Sequence, residues 1–357
     1  MPRHSGALPA DSPAADADPT APPRPPRSIW VRTAVSAAVG ALLLALLLYN
    51  TDIDAVGDLM GDLGPRAPLV LLPWLVIAYL DARGWRCSLP PAVAERVPMR
   101  AFYLVRMAGE AINSVTPTAA VGGEPVKAYL LRTWGVPASD SVASLVIAKT
   151  ALTVSQAFFV VIGLAALFER LDLAGLGVAL VVVLLVLTAG FGGSLVWLQR
   201  RGPALSLWRG LRRIAPRARF VVRLEERAQA VDDRLAHFYR TEQRGAFLRA
   251  TLWHMAGWLL GVFEVTLMMA LIGSPIGLRD ALIIEALAQP IRATAIIIPG
   301  GLGTQELGGV ALCRFLGFPE PVAVTLWLLK RGREFVFDGL GLVYLAVARR
   351  SGFAARE

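Results

Sequence analysis

The chain alternates long apolar runs with polar connections. Six runs approach or exceed the roughly 20 apolar residues that a helix needs to cross a hydrocarbon core about 30 Å thick. They are 33–49, 67–79, 144–168, 174–198, 251–272 and 322–347. The pattern predicts an all-α polytopic membrane protein with about six spans, divided into a first membrane half at 29–198 and a second at 250–348.

The two ends of the chain lack this pattern. Residues 1–28 contain eight prolines and no apolar periodicity. Such a composition cannot bury enough apolar surface to offset the loss of chain entropy. We therefore predict a disordered cytoplasmic tail at 1–28, an uncleaved signal anchor at 33–49 and a second cytoplasmic tail at 349–357.

Charged residues are distributed unequally between the connections. The connection 50–66 holds four aspartates against one arginine, whereas the next one is rich in arginine. Arginine-rich loops stay on the cytoplasmic side of a membrane. The distribution predicts a bacterial inner-membrane protein with both termini in the cytoplasm.

The connection 199–249 is the most basic part of the chain, with thirteen arginines and five acidic residues. Apolar residues recur within it at spacings of three and four, which predicts an amphipathic helix. We expect this helix to lie along the base of the helix bundle or on the anionic membrane surface, and a coiled-coil partner site is the alternative. The asymmetry of the loops accounts for the net charge of +9, so no nucleic-acid partner is expected.

Two segments of the chain resemble each other. Residues 107–131 and 292–316 each carry a Pro/Gly break between two stretches that are too short to cross a membrane. A gapless alignment pairs Pro117 with Pro299, Glu124 with Glu306, and Lys149 with Arg331. Because three predicted spans separate the copies, the second copy enters from the opposite face. The pattern predicts two re-entrant half-helix hairpins, 101–133 and 281–317, in an inverted repeat typical of transporters. The alternative is that each arm crosses the membrane fully, which the length allows for 282–299 but disfavours for 122–132.

Glu124 and Glu306 fall in the first turn of the second arm of each hairpin. The N-terminus of a half-helix carries free N–H groups and a positive dipole end, which attract an anion. The two glutamates are therefore either part of a binding site or simple capping residues.

The last predicted span carries several ionisable residues. Lys330, Arg331, Glu334 and Asp338 fall on one helix face, and Lys149 lies at a matching depth in its own span. Ionisable groups at that depth are costly and usually face a polar cavity, although a structural ladder of ion pairs is the alternative. The two cysteines lie far apart without a CxxC partner or a histidine pair, so we expect neither a metal nor a cofactor.

At these two motifs the chain resembles a flippase-like membrane family, over about residues 31–349. The family is typified by the transmembrane half of lysylphosphatidylglycerol synthases, and some stand-alone relatives accompany hopanoid biosynthesis. The resemblance is carried by Asn113, Pro117, Gly122, Gly123, Glu124 and Lys127, and by Pro299, Gly300, Gly301, Leu302, Gly303, Gln305, Glu306 and Arg331. It implies movement of a lipid between leaflets. Because the chain ends at Glu357 without a soluble aminoacyl-transferase domain, we expect transport and not lipid synthesis.

The predicted function is a lipid translocase whose substrate is a membrane lipid. The predicted substrate-binding residues are Asn113, Gly122, Gly123, Glu124, Lys127, Lys149, Pro299, Gly300, Gly301, Gly303, Gln305, Glu306, Lys330, Arg331 and Glu334. One alternative is an intramembrane enzyme acting on a polyprenyl or phospholipid phosphate, but the turns offer threonines and no Ser/His/Asp set, so we expect no enzyme. A scaffold for lipid-biosynthesis enzymes, recruited by the basic 199–249 segment, is the other alternative.

Overall fold

A computed structural model describes residues 27–116, 122–214, 219–240, 244–294 and 298–354 of the chain. Within these ranges all regular secondary structure is helical, which confirms the predicted all-α class. The predicted tail at 1–28 lies almost entirely outside the described residues, as do Pro117 in the first hairpin and the end of the tail at 349–357.

The first part of the chain contains the helices that precede the basic connection. A 3₁₀ segment, Gly64–Leu71, leads directly into the third helix. The helices are α1 (Arg27–Tyr49), α2 (Ile53–Gly61), α3 (Leu72–Arg86), α4 (Pro91–Ala94), α5 (Met99–Val115), α6 (Gly123–Thr133), α7 (Ala138–Arg170) and α8 (Ala174–Gln199).

The second part begins with two helices of the basic connection. A short 3₁₀ turn, Pro299–Gly301, separates the two arms of the second hairpin. The helices are α9 (Pro203–Ile214), α10 (Arg219–Arg240), α11 (Arg244–Leu271), α12 (Leu278–Thr294), α13 (Thr304–Phe315) and α14 (Glu320–Ala354).

Fewer helices than predicted satisfy both the length and the apolarity needed to cross a membrane. Among the described residues four do so, and a fifth span results if α1 and α2, which are bent by 91°, are counted as one. The bend occurs where the side chain of Asp52 accepts a hydrogen bond from the N–H of Ala55 and caps a new helix. The predicted loop 50–66 is therefore partly helical. The four helices are Gly64–Arg86, Ala138–Arg170, Gly177–Gln199 and Gly245–Leu271.

The predicted sixth span lies within α14, which is 35 residues long. This helix is long enough to cross a bilayer, but it falls outside the apolar set because its middle carries several charged side chains. Those charges are Lys330, Arg331, Arg333, Glu334 and Asp338. A total of six spans therefore requires both the bent pair α1–α2 and α14.

The repeat recognised in the sequence recurs as a repeat of helices. The series α3, α5, α6 and α7 corresponds to α11, α12, α13 and α14, and three candidate spans, α7, α8 and α11, lie between the two hairpins. In each hairpin the two arms pack together, α5 on α6 and α12 on α13. Each first arm also packs on the long helix of the other repeat, α5 on α14 and α12 on α7. This exchanged packing supports the predicted inverted repeat.

The hairpin arms are shorter than the four candidate spans. They contain 17, 11, 17 and 12 residues in α5, α6, α12 and α13. At about 1.5 Å per residue the longest rises about 26 Å, against a hydrocarbon core of about 30 Å. These lengths favour re-entrant arms over arms that each cross the membrane, most clearly for α6 and α13.

The basic connection forms a helical pair at one end of the bundle. Helix α10 packs on α9 and on α7, and its Leu235 and Phe238 are buried in a cluster with Ile147 of α7. Asp232 fixes the start of α9 by accepting hydrogen bonds from the N–H groups of Ala204 and Leu205, at 2.9 and 2.8 Å. The apolar side of the amphipathic helix is thus turned toward the bundle base, and contact with an anionic membrane surface stays a prediction.

Candidate functional site

A cavity of about 370 Å³ lies where the two hairpins meet. We refer to it as the central cavity. The first hairpin contributes Asn113 and Thr116 from the end of α5, and the second contributes Gly300, Gly301 and Gln305. Its charged lining residues come from both repeats and carry both signs. They are Arg106, Glu110, Arg292, Glu334 and Asp338.

Ion pairs hold the first hairpin together. The ammonium of Lys127 donates to Glu110 at 2.6 Å and to Glu124 at 3.0 Å, and Lys149 lies 3.9 Å from Glu124. A polar cap complements them, because the Asn113 side chain accepts a hydrogen bond from the Gly123 N–H at 2.7 Å. The beginning of α6 is thereby tied to the end of α5.

Glycine is required at position 123 for steric reasons. A Cβ atom at this position would collide with the carbonyl oxygen of Gly109 in α5. The two arms of the first hairpin approach each other this closely only because neither residue carries a side chain. The Gly122–Gly123 pair singled out in the sequence therefore has a packing role, whether or not it also contacts a ligand.

Arg331 organises the second hairpin. Its guanidinium donates to Glu306, to the carbonyl oxygen of Gly300 at 2.9 Å and to Glu334 at 2.8 Å. Gln305 donates to the same carbonyl at 3.0 Å. Gly300 has a φ of 59°, which glycine adopts without strain, so the 3₁₀ turn presents that oxygen to both donors.

A second layer of buried ion pairs lies deeper in the bundle. Lys330 contacts Glu285 at 2.6 Å and Glu264 at 3.6 Å, and Arg333 also contacts Glu264. The side chains of Arg333 and Glu264 are each only 1% exposed. Buried charges of this kind persist only when they are paired and hydrogen-bonded. Two interpretations of the charges in α14 were predicted from the sequence, a polar cavity and a structural ladder of ion pairs. This layer has the form of such a ladder.

A third cluster, in which Asp81 contacts Arg106 and His254, was not predicted from the sequence. His254 is only 4% exposed, and its Nδ1 lies 2.8 Å from Asp81. The predicted span 67–79 ended before Asp81, whereas the helix continues to Arg86. The signal that could have revealed the cluster is an acidic residue, Asp81, two residues after the end of an apolar run.

The structure distributes the predicted site residues over three environments. Asn113, Gly300, Gly301, Gln305 and Glu334 line the central cavity. Glu124, Lys127 and Lys149 line a narrower cavity of about 50 Å³, which shares Arg106 and Glu110 with the central one. The remaining predicted residues line neither of these two cavities. They are Pro299, which begins the 3₁₀ turn, and Gly122, Gly123, Gly303, Glu306, Lys330 and Arg331. Binding of a substrate by these residues stays a prediction.

The fold and the cavity define a helical membrane protein that is built from two related halves around a charged interior. The chain belongs to the family described as Lysylphosphatidylglycerol synthase TM region, whose model matches residues 29–340. This match confirms the resemblance inferred from the two glycine-rich motifs.

One curated relative supports the same family. A protein named UPF0104 membrane protein, from Methanothermobacter thermautotrophicus, is 26% identical over 313 residues, which cover 84% of this chain and 90% of the relative. Its name specifies a membrane protein and no activity. No solved structure matches the chain.

Proposed function

We propose that this protein is a lipid translocase, which moves a lipid or lipid-linked molecule between the leaflets of the bacterial inner membrane, with both of its termini in the cytoplasm. The observation that carries the proposal is a repeated ion pair. Glu124 with Lys149, and Glu306 with Arg331, occupy equivalent positions in two inverted repeats that share one central cavity.

The central cavity suits a lipid headgroup. Its volume of about 370 Å³ falls in the range of about 300–1,000 Å³ that is typical of ligand pockets. Guanidinium and carboxylate groups line the same space, so a headgroup that carries a phosphate together with a hydroxyl or an amine would find partners for each. The acyl or polyprenyl chains of the substrate would stay in the bilayer.

The architecture suits alternating exposure of such a site. Each hairpin packs on the long helix of the opposite repeat, so a rocking motion of one repeat against the other would change both sides of the cavity together. Non-helical backbone at this depth is tolerated where it lines a protein cavity, which is the position of the Pro299–Gly301 turn.

The enzyme alternative finds less support in the hairpin turns. The hydroxyl of Thr116 donates to the carbonyl oxygen of Ile112 at 2.6 Å, and that of Thr304 donates to Gly301 at 2.9 Å. A nucleophilic hydroxyl needs a base within hydrogen-bond reach, and here both hydroxyls are used to close helix ends. Thr118 lies outside the described residues.

The proposal is tested in proteoliposomes that contain a labelled lipid. Leaflet accessibility and headgroup integrity are scored in the same sample, for lipids with anionic and zwitterionic headgroups. We expect the protein to accelerate leaflet exchange and to leave the headgroup intact. Glu124→Gln and Glu306→Gln should each lower the exchange rate by about tenfold or more, which corresponds to about 1.4 kcal/mol of barrier.

Glu169→Gln is the matched control, because the Glu169 side chain is 74% exposed and lies 3.9 Å from its arginine partner. This variant should exchange lipid at the native rate. A cleaved or transferred headgroup with exchange at the protein-free rate would establish the enzyme alternative. Native rates in both hairpin variants would reduce the two glutamates to capping residues.

A further inference from the structure

A second and larger cavity, of about 590 Å³, lies away from the hairpin tips. We refer to it as the interfacial cavity. Arg83 and Arg86 reach it from the last turn of α3, and Arg249 reaches it from the beginning of α11. Because two candidate spans, Gly64–Arg86 and Gly245–Leu271, end and begin here, the cavity lies at the depth of a membrane surface.

Neutral groups contact two of the three arginines. The Arg83 guanidinium lies over the ring of Trp253, 5.1 Å from its centre, and Arg86 donates to the carbonyl oxygen of Ala94 at 3.2 Å. Within the described part of the chain, none of the three has a carboxylate within 4.0 Å. Their positive charge is therefore locally uncompensated.

This setting differs from that of the arginines deeper in the bundle. Arg106, Arg331 and Arg333 each contact at least one carboxylate. One acidic residue, Glu95, also lines the interfacial cavity, but its side chain is exposed and pairs with no basic group among the described residues. Three arginines against one glutamate leave an excess of positive charge at this cavity.

We infer that the interfacial cavity binds the phosphate of an anionic phospholipid headgroup. A guanidinium donates two parallel hydrogen bonds to phosphate oxygens, and arginine is preferred for this type of recognition. Leu89, Ala94 and Ala246 supply apolar walls beside the arginines, which would accommodate the glycerol and the first carbons of the acyl chains. The inference concerns binding at a membrane surface and does not depend on lipid translocation.

A cysteine thiol in the wall of the interfacial cavity can report whether the cavity is occupied. Cys87 lines it and is partly exposed, whereas the other cysteine, Cys313, is only 1% exposed. Burial raises the pKa of the Cys87 thiol, and the neighbouring Arg249, Arg83 and Arg86 lower it only in part. A bound phosphate would cover the sulfur and neutralise the arginines, and both effects would slow reaction of the thiol with a maleimide.

The experiment measures the maleimide reaction rate of Cys87 in purified protein in maltoside micelles, which contain no phosphate. Phosphatidylglycerol is titrated in one arm and inorganic phosphate in the other, and the modified residue is identified by peptide mass. We expect the rate to fall by about tenfold when phosphatidylglycerol is present at about ten times its Kd, since only the unoccupied fraction reacts.

The variant Arg249→Gln should abolish this protection, and the exposed side chain of Arg249 makes the substitution compatible with folding. Arg100→Gln is the matched control, because Arg100 is exposed and lies in the first turn of α5, close in sequence to the cavity residues, but it does not line the cavity. Phosphatidylglycerol should slow the maleimide reaction of Cys87 in this variant as strongly as in the native chain.

Protection by phosphatidylglycerol alone would assign the site to a lipid headgroup. Equal protection by inorganic phosphate at similar concentrations would overturn that assignment in favour of a soluble anion. A rate that neither ligand changes, or protection that survives Arg249→Gln, would overturn the inference itself. Because none of these readouts involves leaflet exchange, failure here is distinguishable from failure of the translocase proposal.

Discussion

The two repeats carry the same ion pair in different states. In the first repeat Lys149 lies 3.9 Å from Glu124, and its side chain is 43% exposed. In the second repeat Arg331 is hydrogen-bonded to Glu306, and the two side chains are 8% and 2% exposed. Equivalent residues are thus loosely paired and accessible in one half, but tightly paired and buried in the other.

Neighbouring residues account for this difference. In the first repeat Glu124 also contacts Lys127, which is itself shared with Glu110. The gapless alignment places Gly309 at the position of Lys127, and a Cβ on Gly309 would collide with the ring of Trp327. In the second repeat this position is therefore filled by the aromatic ring of Trp327, whereas in the first it carries a cation that belongs to a partly exposed network of charges. Such asymmetry would suit the proposed translocase, in which one site is exposed alternately to each side of the membrane.

The largest expected effect comes from removing the cation of the closed pair. Arg331→Met leaves Glu306 buried without its partner, and breaking a buried pair costs about 3–5 kcal/mol. Lys149→Met at the equivalent position removes a partly exposed cation, which should cost at most about 1 kcal/mol. Thermal unfolding in detergent measures both substitutions.

The double variant Glu306→Gln/Arg331→Met is the control, because it removes both charges. It should recover part of the stability lost in Arg331→Met. Equal losses for Arg331→Met and Lys149→Met would show that the two pairs do not differ energetically and would remove the basis of the comparison.

A smaller effect is expected from steric change in the first hairpin. Gly123→Ala would force α6 away from the carbonyl oxygen of Gly109, and overpacking of this kind costs about 1–3 kcal/mol. Gly190→Ala in α8 is the control, because no atom lies within 4 Å of the added Cβ. That change should be neutral or slightly stabilising. Detergent melting curves distinguish the two, and a neutral Gly123→Ala would contradict the described approach of α5 and α6.

The smallest expected effect concerns the cap of α6. Asn113→Ala removes the acceptor of the Gly123 N–H, and loss of a helix cap costs about 1 kcal/mol. Asn113→Asp keeps an acceptor, but it places a second carboxylate beside Glu110, which the Asn113 amide contacts at 3.4 Å, so it should not restore the stability. The melting temperature of Asn113→Ala relative to the native chain is the measurement, and equal melting temperatures would mean that this hydrogen bond adds nothing to the hairpin.

Features that are local in the chain could be predicted from the sequence. The Pro/Gly breaks and the constant offset between the copies predicted two equivalent pairs, and the structure places Glu124 beside Lys149 and Glu306 beside Arg331. This works because helices of matching length and order bring matching positions together. The family and the all-α class followed from the same local patterns.

Features that depend on contacts between distant helices could not be predicted in this way. The contact between Asp81 and His254 forms only when α3 packs along α11. The pairing of Arg333 with Glu264 likewise joins two helices that are distant in sequence. Hydropathy also cannot place a sharp bend inside an apolar region, such as the 91° bend between α1 and α2.

The length of helix α8 can be compared with the thickness of the surrounding membrane. Its span Gly177–Gln199 contains 23 residues, few of which are buried in the bundle, and it packs mainly along α7. At about 1.5 Å per residue this span is about 35 Å long, several ångströms more than a hydrocarbon core of about 30 Å. A helix that is too long for its bilayer tilts. Because α8 has few packing partners to fix its angle, we expect it to absorb differences in bilayer thickness by tilting, so that the charged interior keeps its geometry in membranes of different lipid composition.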